Sequence, residues 1–331
     1  MLIVKSIIIY ILISSIIIFL SRYLRYFDKP TKRRIHSVPT INTGGLIIYL
    51  FFLFIITQGE FNHNIELIVT IGFFVCLTGF VDDRISLNPS NKILLILIPS
   101  IYLILSGISI NDLGQYEYLG NLELGKFKIP FLLMAIGLLI NATNYIDGID
   151  GLLLTFFLSC LLYYIFLIDD SKTVNLLKFF VIASFFNLIL NLLPSKSKFK
   201  VFSGDSGSLF IGFFISFMTI ELYNSFNIHP AFLIWPLWYP VYDFLFVSIN
   251  RLLNKKSIFK PDNTHLHHVI SKKFYGNKIS PLILFLIVNS SIIFIGYKIS
   301  EISKLFSLCA FIIGFNLFFI LRFFVFNKYK N

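Results

Sequence analysis

Long runs of apolar residues are the feature that most constrains how this chain can fold. A helix that crosses a bilayer needs roughly 17 to 25 consecutive, mostly apolar residues, and the 331-residue sequence contains about eleven such runs. Because 56% of the residues are hydrophobic and only 14% are charged, a water-soluble fold is excluded. We predict an all-α, polytopic membrane protein that forms one integral-membrane domain over residues 1–331. The predicted spans lie near residues 2–21, 44–58, 65–81, 92–107, 130–146, 151–168, 176–193, 207–224, 230–253, 281–298 and 304–326.

The segment between the fourth and fifth predicted spans has a different pattern. Residues 108–129 alternate polar and apolar side chains, which is typical of β-strands. We expect a small hairpin outside the membrane. The remaining sequence contains no long linker and no internal repeat.

Basic residues are distributed unevenly between the loops. The odd-numbered loops and the C-terminus carry most of the lysines and arginines, and the even-numbered loops carry only Lys126, Lys128, Lys172, Lys298 and Lys304. Since positive charge accumulates on cytoplasmic loops, we predict cytoplasmic odd loops, an external N-terminus and a cytoplasmic C-terminus. The net charge of +11 could indicate a nucleic-acid partner. Because the charge lies in short loops, membrane orientation and a phosphate-bearing ligand are favoured instead.

A polar stretch interrupts the apolar runs near the middle of the chain. Asn141, Asn144, Asp147 and Asp150 recur at three-residue spacing, so each neighbouring pair shares a helix face. A glycine directly follows each carboxylate and lets a ligand approach the backbone. Carboxylates inside or beside membrane spans are costly and indicate a functional site, although a polar turn between two spans is the alternative.

Two further acidic clusters lie on odd-numbered loops. Asp82 and Asp83 precede Arg84 at the end of the third span, and adjacent carboxylates require a nearby cation, either Arg84 or a divalent metal. Asp205 lies between glycines at the start of the eighth span, where serines can cap the helix and its N-terminal amides favour an anion. Ordinary helix ends are the alternative for both clusters.

The remaining two clusters are basic or rich in histidine. The segment 28–36 could hold a phosphate or anchor to anionic lipid headgroups. His265, His267 and His268 lack the cysteines or HExxH pattern of a zinc site, so we interpret them as donors to phosphate oxygens. Asp243, with Arg251 two turns further on, is interpreted as a structural polar pair. Five clusters on one predicted membrane face indicate one shared site.

Taken together and in this order, the five clusters resemble the polyprenyl-phosphate N-acetylhexosamine-1-phosphate transferase family. This family includes the phospho-N-acetylmuramoyl-pentapeptide transferase of peptidoglycan synthesis and WecA-like enzymes. The spacing His265-Leu-His267-His268 resembles the WecA-like branch, and His36-Ser-Val-Pro39 is similar to initiators of O-antigen and capsule synthesis. Two departures stand out: Ile41 replaces a second proline, and the segment from Asn191 to Asp205 is longer and carries three lysines.

The resemblance implies a reaction and a location. A polyprenyl phosphate, expected to be undecaprenyl phosphate, would attack the β-phosphate of a UDP-N-acetylhexosamine and release UMP. This would be the first membrane step of a cell-envelope polysaccharide such as O-antigen lipopolysaccharide. The expected location is the bacterial cytoplasmic (inner) membrane, with the site facing the cytoplasm. Mg²⁺, or Mn²⁺ in its place, would neutralise clustered phosphate charge. A homodimer is a further expectation, and a nucleic-acid partner is not expected.

The resemblance also implies roles for individual residues. Asp205 is the expected magnesium ligand, with Asp82 and Asp150 as further ligands. Asp82 is a candidate base or positioner of the lipid phosphate, with Asp83 beside it. Positioning and metal binding are favoured over proton abstraction, since that phosphate is already largely ionised at neutral pH. The implied catalytic residues are Asp82, Asp83, Asp205 and His267.

The substrate-binding residues implied by the resemblance divide into two groups. On the uridine side, Asp147 and Asp150 would make contacts, Asn144 and Asn191 would donate hydrogen bonds, and Phe202 would stack on uracil. The diphosphate would be bound by His265, His267 and His268, helped by Arg33, Arg34 or His36.

Other functions are compatible with a polytopic chain. A transporter or lipid flippase would place ion-relaying carboxylates in mid-span and often contain a repeat, whereas the polar groups here cluster at one predicted face. A CDP-alcohol phosphotransferase needs Asp-Gly-x-x-Ala-Arg, which Asp147-Gly-Ile-Asp-Gly-Leu152 does not supply. A catalytically inactive scaffold is a third alternative. The sequence does not identify the sugar, for which UDP-GlcNAc, UDP-GalNAc and 6-deoxy-hexosamine relatives are candidates.

Overall fold

The computed structural model of the protein describes residues 2–28, 38–257, 265–273 and 279–328. Within these residues the fold is a bundle of helices with two small two-stranded sheets. The helices are α1 (Leu2–Tyr23), α2 (Gly44–Ile56), α3 (His63–Ile85), α4 (Pro89–Leu105), α5 (Lys128–Ile146), α6 (Leu152–Leu167), α7 (Ser171–Leu192), α8 (Gly204–Phe226), α9 (Pro230–Leu233), α10 (Trp238–Leu253), α11 (Leu266–Lys273), α12 (Ile279–Ile302) and α13 (Lys304–Lys328). The strands are β1 (Phe27–Asp28), β2 (Thr40–Ile41), β3 (Asp112–Tyr116) and β4 (Gly120–Glu123).

The predicted all-α, polytopic architecture is confirmed. Each predicted span coincides with apolar helix, and the ninth is built from α9, a 3₁₀ turn at Trp235–Leu237 and α10. Among the described residues, eight helical segments are long and apolar enough to cross a membrane, whereas α2, α4 and α6 are shorter. The number of crossings and the orientation of the termini stay predictions.

Helix α8 is the central element of the bundle. Its Phe210 and Phe214 rings pack among those of Phe52 in α2 and Phe180 in α7, and the last two stack at 3.7 Å between centroids. Of the 23 residues of α8, 17 are buried, as expected for a helix that is apolar on all sides. The core of the protein therefore surrounds the helix that begins at Asp205.

Glycines allow α2 and α3 to approach the first turn of α8 closely. A Cβ atom on Gly45 would lie 2.0 Å from the backbone nitrogen of Gly207, and one on Gly79 would lie 2.3 Å from the carbonyl oxygen of Asp205. Small residues at helix contacts permit this backbone approach in membrane proteins. The carboxylates at the end of α3 are consequently brought to the start of α8.

The predicted hairpin is also confirmed, as strands β3 and β4. It packs on the end of α8 that is remote from Asp205. The Tyr223 hydroxyl donates to Asp112 Oδ1, and the backbone N–H groups of Lys304 and Leu305 donate to Glu117 at 3.0 and 2.8 Å. The bundle therefore has a hairpin end and, opposite to it, an end where the predicted site residues lie.

Candidate active site

The centre of the site is a lysine that two carboxylates share. Lys92 Nζ lies 2.7 Å from Asp82 Oδ2 and 2.7 Å from Asp205 Oδ2. The three residues come from the end of α3, the first turn of α4 and the first turn of α8. In the sequence, Lys92 is only one of the basic residues that orient the protein in the membrane. Nothing in the sequence shows that the start of α4 faces Asp205.

Asp83 is fixed beside this centre by the start of α8. Its carboxylate accepts from Asn42 Nδ2 at 2.7 Å and from the backbone nitrogen of Asp205 at 3.0 Å. The predicted serine cap is wrong, since Ser203 makes no side-chain capping bond and Asp83 meets the helix amide instead. Gly204 has φ +68°, and a Cβ atom there would lie 2.6 Å from Asp83 Oδ2, so both conformation and space require glycine.

The end of α5 contributes the side-chain amide of Asn144 and the carboxylate of Asp147 to the site. Asn144 Nδ2 donates to Asp205 Oδ1 at 3.0 Å and to Ser208 Oγ at 2.8 Å, which orients the Asp205 carboxylate. Asp147 follows the last residue of α5. Loss of hydration raises the pKa of Asp147 well above its usual range, and the negative charges of Asp205 and Asp83 add to the shift.

A second lysine joins three residues that were predicted for the uridine side. The buried Lys200 Nζ lies 2.8 Å from Asp150 Oδ2, donates to the carbonyl oxygen of Asn191 and lies 5.3 Å from the centre of the Phe202 ring. The structure thus brings Asp150, Asn191 and Phe202 together. Lys200, like Lys92, was counted only as loop charge.

The connection between α7 and α8 is longer than in many members of the family. Hydrogen bonds nevertheless tie its last residues to the end of α7 and to β2. Asn191 Nδ2 donates to the carbonyl oxygen of Val201 at 3.1 Å, and Val201 forms a β-bridge with Ile41. The backbone nitrogen of Phe202 donates to the carbonyl oxygen of Ile41 at 2.8 Å. This pairing holds Phe202 next to the first turn of α8.

The histidine motif packs directly against the α5–α6 turn. A Cβ atom on Gly148 would lie 2.7 Å from His267 Nε2 and 2.7 Å from His268 Cε1. The His265 ring stacks on Tyr145, with 4.9 Å between centroids. Burial lowers the pKa of His267 well below its usual range, and the charge of His268 adds to this effect. The structure thus places the histidine motif against the residues on either side of Asp147.

Asp243 has other partners than the predicted Arg251. Its carboxylate lies 2.8 Å from His265 Nδ1 and 3.7 Å from Arg322 Nη2. Arg251 lies over the Tyr145 ring, with 5.8 Å from Cζ to the centroid. Asp243 therefore belongs to the histidine motif, which its spacing along the sequence could not reveal.

Part of the predicted site cannot be placed. Arg33, Arg34 and His36, expected to help bind the diphosphate, lie outside the described residues. Their assignments stay predictions.

The donor set can be tested for Mg²⁺. In the described part of the chain, no three His, Cys, Asp or Glu side chains form a ready-made metal cage. Asp82 and Asp205 nevertheless converge on one cation, the Lys92 ammonium. Mg²⁺ is commonly held by one or two carboxylates and completes its shell with waters and phosphates, so this pair fits it. Asp150, predicted as a third ligand, is paired with Lys200 instead of lying at Lys92.

A bundle of apolar helices with carboxylates, lysines and histidines gathered at one end defines a membrane-embedded enzyme for phosphate-bearing substrates. The chain belongs to glycosyl transferase family 4, whose sequence model matches residues 65–223. This confirms the predicted resemblance to the polyprenyl-phosphate sugar-1-phosphate transferases.

Relatives of known name support the same family. The chain is 30% identical over 269 residues to the probable undecaprenyl-phosphate N-acetylglucosaminyl 1-phosphate transferase of Bacillus subtilis. The aligned region covers 78% of this chain and 74% of the relative. It is 29% identical over 265 residues to the undecaprenyl-phosphate alpha-N-acetylglucosaminyl 1-phosphate transferase of Yersinia pestis, covering 76% and 71% of the two chains. The enzyme of the same name from Escherichia coli K12 is 29% identical over 261 residues, covering 76% and 70%.

Proposed function

We propose that the protein transfers an N-acetylhexosamine 1-phosphate from a UDP-sugar to undecaprenyl phosphate and releases UMP. N-acetylglucosamine 1-phosphate is the first candidate, because the relatives are named for it. The observation that carries the proposal is the convergence of Asp82 and Asp205 on one cation, in a chain of this family. The proposed location is the bacterial cytoplasmic membrane with the site facing the cytoplasm, which the charge of the odd-numbered loops supports.

The reaction brings together two anionic substrates. An oxygen of the lipid phosphate forms a bond to the β-phosphorus, and the bond from that phosphorus to the bridging oxygen breaks. The bridging oxygen leaves with the electron pair as part of UMP. No proton needs to be removed, since the lipid phosphate is already largely ionised at neutral pH. One phosphoanhydride is consumed and one is made, so the proposed reaction is close to balanced and reversible.

The described residues can meet the electrostatic demand of this reaction. Asp82 and Asp205 would hold Mg²⁺, which when bound neutralises phosphate charge and aligns the reacting groups. Lys92 supplies a fixed positive charge at the same place, and Asn144 keeps the Asp205 carboxylate oriented. Asp83 is fixed by Asn42 and the start of α8, so it keeps the end of α3 in register with Asp205.

Two neighbouring regions would bind the UDP-sugar. The histidine motif would donate hydrogen bonds to the diphosphate oxygens, which is the usual role of such donors beside phosphates. Phe202, held next to the first turn of α8, offers an aromatic face for uracil. Lys200 and Asn191 fix the loop that carries Phe202, so they are expected to affect nucleotide affinity more than the chemical step.

The experiment is a transfer assay with purified protein in detergent. Undecaprenyl phosphate, Mg²⁺ and UDP-GlcNAc, UDP-GalNAc or a UDP-6-deoxy-hexosamine are supplied in turn, and UMP release is measured. We expect release that requires the lipid, the sugar nucleotide and the divalent cation, together with exchange of labelled UMP into the UDP-sugar. Absence of release with every sugar, under conditions where the Escherichia coli relative is active, would refute the proposal.

A further inference from the structure

A buried set of charged side chains connects the last helix to the histidine motif. Asp243 in α10 is 1% exposed, and its Oδ2 accepts a hydrogen bond from His265 Nδ1 at 2.8 Å. Its Oδ1 accepts from the backbone nitrogen of Leu266 at 3.0 Å and lies 3.7 Å from Arg322 Nη2. Arg322 belongs to α13 and is 3% exposed. Burying charged groups is costly unless they are paired, so this arrangement requires an explanation.

The packing around Arg322 shows that its position is built into the fold. Its guanidinium carbon lies 4.9 Å from the centre of the Phe246 ring, one turn beyond Asp243 on α10. Few other described side chains of α13 are fully buried, and the neighbouring Leu321 and Phe324 are exposed. Arg322 is thus the cationic group that the last helix directs toward α10.

On its other side, His265 contacts the turn that carries the site. Its ring stacks on Tyr145, which directly follows Asn144, the residue that orients Asp205. It also lies nearly parallel to the His267 ring, with 5.6 Å between centroids. Displacing the His265 ring would therefore disturb both the histidine motif and the end of α5.

The hydrogen bond to Asp243 determines which ring nitrogen of His265 is available. Since the carboxylate accepts the proton of Nδ1, the nitrogen left for a ligand is Nε2, which donates to a phosphate oxygen when the ring carries a proton on both nitrogens. This atom is buried and has no hydrogen-bond partner among the described residues. Buried polar atoms normally have a partner, so an atom without one suits a ligand. A carboxylate that orients a histidine and stabilises its imidazolium form is a recurring device in enzymes.

We propose that Asp243 and Arg322 are positioning residues that act through His265. Arg322 offsets the negative charge of Asp243, and Asp243 holds Nδ1–H of a His265 ring protonated on both nitrogens, so that Nε2–H can donate to the diphosphate of the UDP-sugar. The inference rests on the proposed function. It assigns to the last helix a part in substrate binding, although α13 contributes no residue to the Lys92 centre.

The first test is a double-mutant cycle of Asp243→Asn and His265→Asn. Each single variant is expected to lower kcat/KM for UDP-GlcNAc at least about tenfold, because hydrogen bonds to charged groups contribute on this order. KM for undecaprenyl phosphate should stay within about twofold of wild type. The double variant should be no worse than His265→Asn alone, since residues that act through one another are not additive. An equal loss from Asp243→Asn with and without His265 would overturn the inference.

The second test addresses Arg322 by conservative rescue. Arg322→Lys keeps the positive charge and should retain most of the activity, whereas Arg322→Gln should raise KM for UDP-GlcNAc. The effect of Arg322→Gln should disappear in the Asp243→Asn background. If Lys and Gln variants lose activity equally, the charge of Arg322 plays no part and the inference is wrong. Should Asp243→Asn fail to yield folded protein, this Lys and Gln pair decides the question by itself.

A matched control is available at the hairpin end. Glu221 is a fully buried carboxylate of α8 that accepts from Asn64 Nδ2 at 3.0 Å, far from the histidines. Glu221→Gln should leave UMP release unchanged even if it lowers the unfolding temperature. A loss of activity in Glu221→Gln equal to that in Asp243→Asn would indicate general destabilisation and overturn the inference. Wild-type protein without any UMP release would instead refute the proposed function, so the two failures are distinguishable.

Discussion

Two carboxylates at opposite ends of the bundle, Glu117 and Asp147, are held in opposite ways. At the hairpin end, Glu117 accepts the backbone N–H groups of Leu305 and Lys304, and these bonds lower its pKa to about 2. At the site end, Asp147 lies near further negative charges, and loss of hydration raises its pKa well above the usual range. The same chemical group is thus stabilised as an anion at one end and destabilised at the other.

The difference separates structural acids from functional ones. Glu117 and Asp112 find their donors within the protein, so their charges help to dock the hairpin. Asp82 and Asp205 share a single ammonium group, and two carboxylates on one cation are not neutralised. A site with such uncompensated negative charge is expected where a protein binds a cation or an ionic substrate, because like charges placed close together otherwise destabilise the fold.

The largest effect on activity is expected from Asp205→Asn, which removes one of the two carboxylates at Lys92. UMP release should fall at least about 100-fold, since the group that anchors positive charge at the reacting phosphates is lost. The unfolding temperature should change little, because relief of the repulsion on neighbouring carboxylates offsets the loss of the ion pair with Lys92. Both quantities can be measured on the purified protein, with Glu221→Gln as the control for a buried carboxylate. An active Asp205→Asn variant would mean that the Lys92 centre is not the catalytic site.

The next prediction concerns Lys92, the cation that Asp82 and Asp205 share. Lys92→Met should lower transfer by about tenfold to 100-fold, because a fixed charge at the reacting groups is removed. Without the ammonium, the two carboxylates should attract Mg²⁺ more strongly. The rise in unfolding temperature on adding Mg²⁺ should therefore exceed that of wild type.

Lys200→Met is the matched control for that measurement. Lys200 is likewise a lysine paired with an aspartate, but its partner Asp150 does not touch Lys92. Its loss should destabilise the protein by removing the ion pair with Asp150, without changing the response to Mg²⁺. An equal Mg²⁺ response in both lysine variants would contradict a metal site at Asp82 and Asp205.

The helices and the general place of the site could be predicted from the sequence, for identifiable reasons. Apolar runs of spanning length and the alternating pattern of residues 108–129 are local signals, and the structure contains the corresponding helices and hairpin. The acidic and histidine clusters could be assigned to one end because they all fall on odd-numbered loops. Local patterns were sufficient wherever a residue's role depends on its own segment.

The partners of individual side chains could not be predicted in the same way. Lys92 meets Asp205 only because glycines let α3 and α2 approach α8, and Arg322 meets Asp243 only because α13 packs on α10. A lysine at the start of a span looks like an orienting charge, and an arginine near the end of the last span looks the same. The missed residues are therefore those whose role depends on contacts between distant helices.

A smaller effect is expected from disturbing only the contact between the histidine motif and the acidic turn. In Gly148→Ala the new Cβ would lie 2.7 Å from His267 Nε2, so the histidine or the turn must shift. We expect UMP release to fall about tenfold, because displacement of positioning groups by a fraction of an ångström already lowers rates. Gly137→Ala is the control: it lies in α5 with no atom within 4 Å of the new Cβ. It should keep full activity and stabilise the helix by up to about 1 kcal/mol. Equal activities of the two variants would show that the contact at Gly148 is irrelevant.

The smallest effect is expected at the hairpin end, from Glu117→Gln. Because the folded-state pKa of Glu117 is lowered from 4.5 to about 2, its contribution to stability is present above the ordinary value and is lost as the pH falls toward 2. Glu117→Gln should therefore unfold at a slightly lower temperature than wild type at neutral pH. That difference should shrink between about pH 5 and about pH 2, and salt should reduce it, since the carboxylate is exposed. UMP release at neutral pH should not change, because Glu117 lies at the opposite end from Lys92. A difference in unfolding temperature that is independent of pH would show that the carboxylate charge does not hold the hairpin on α13.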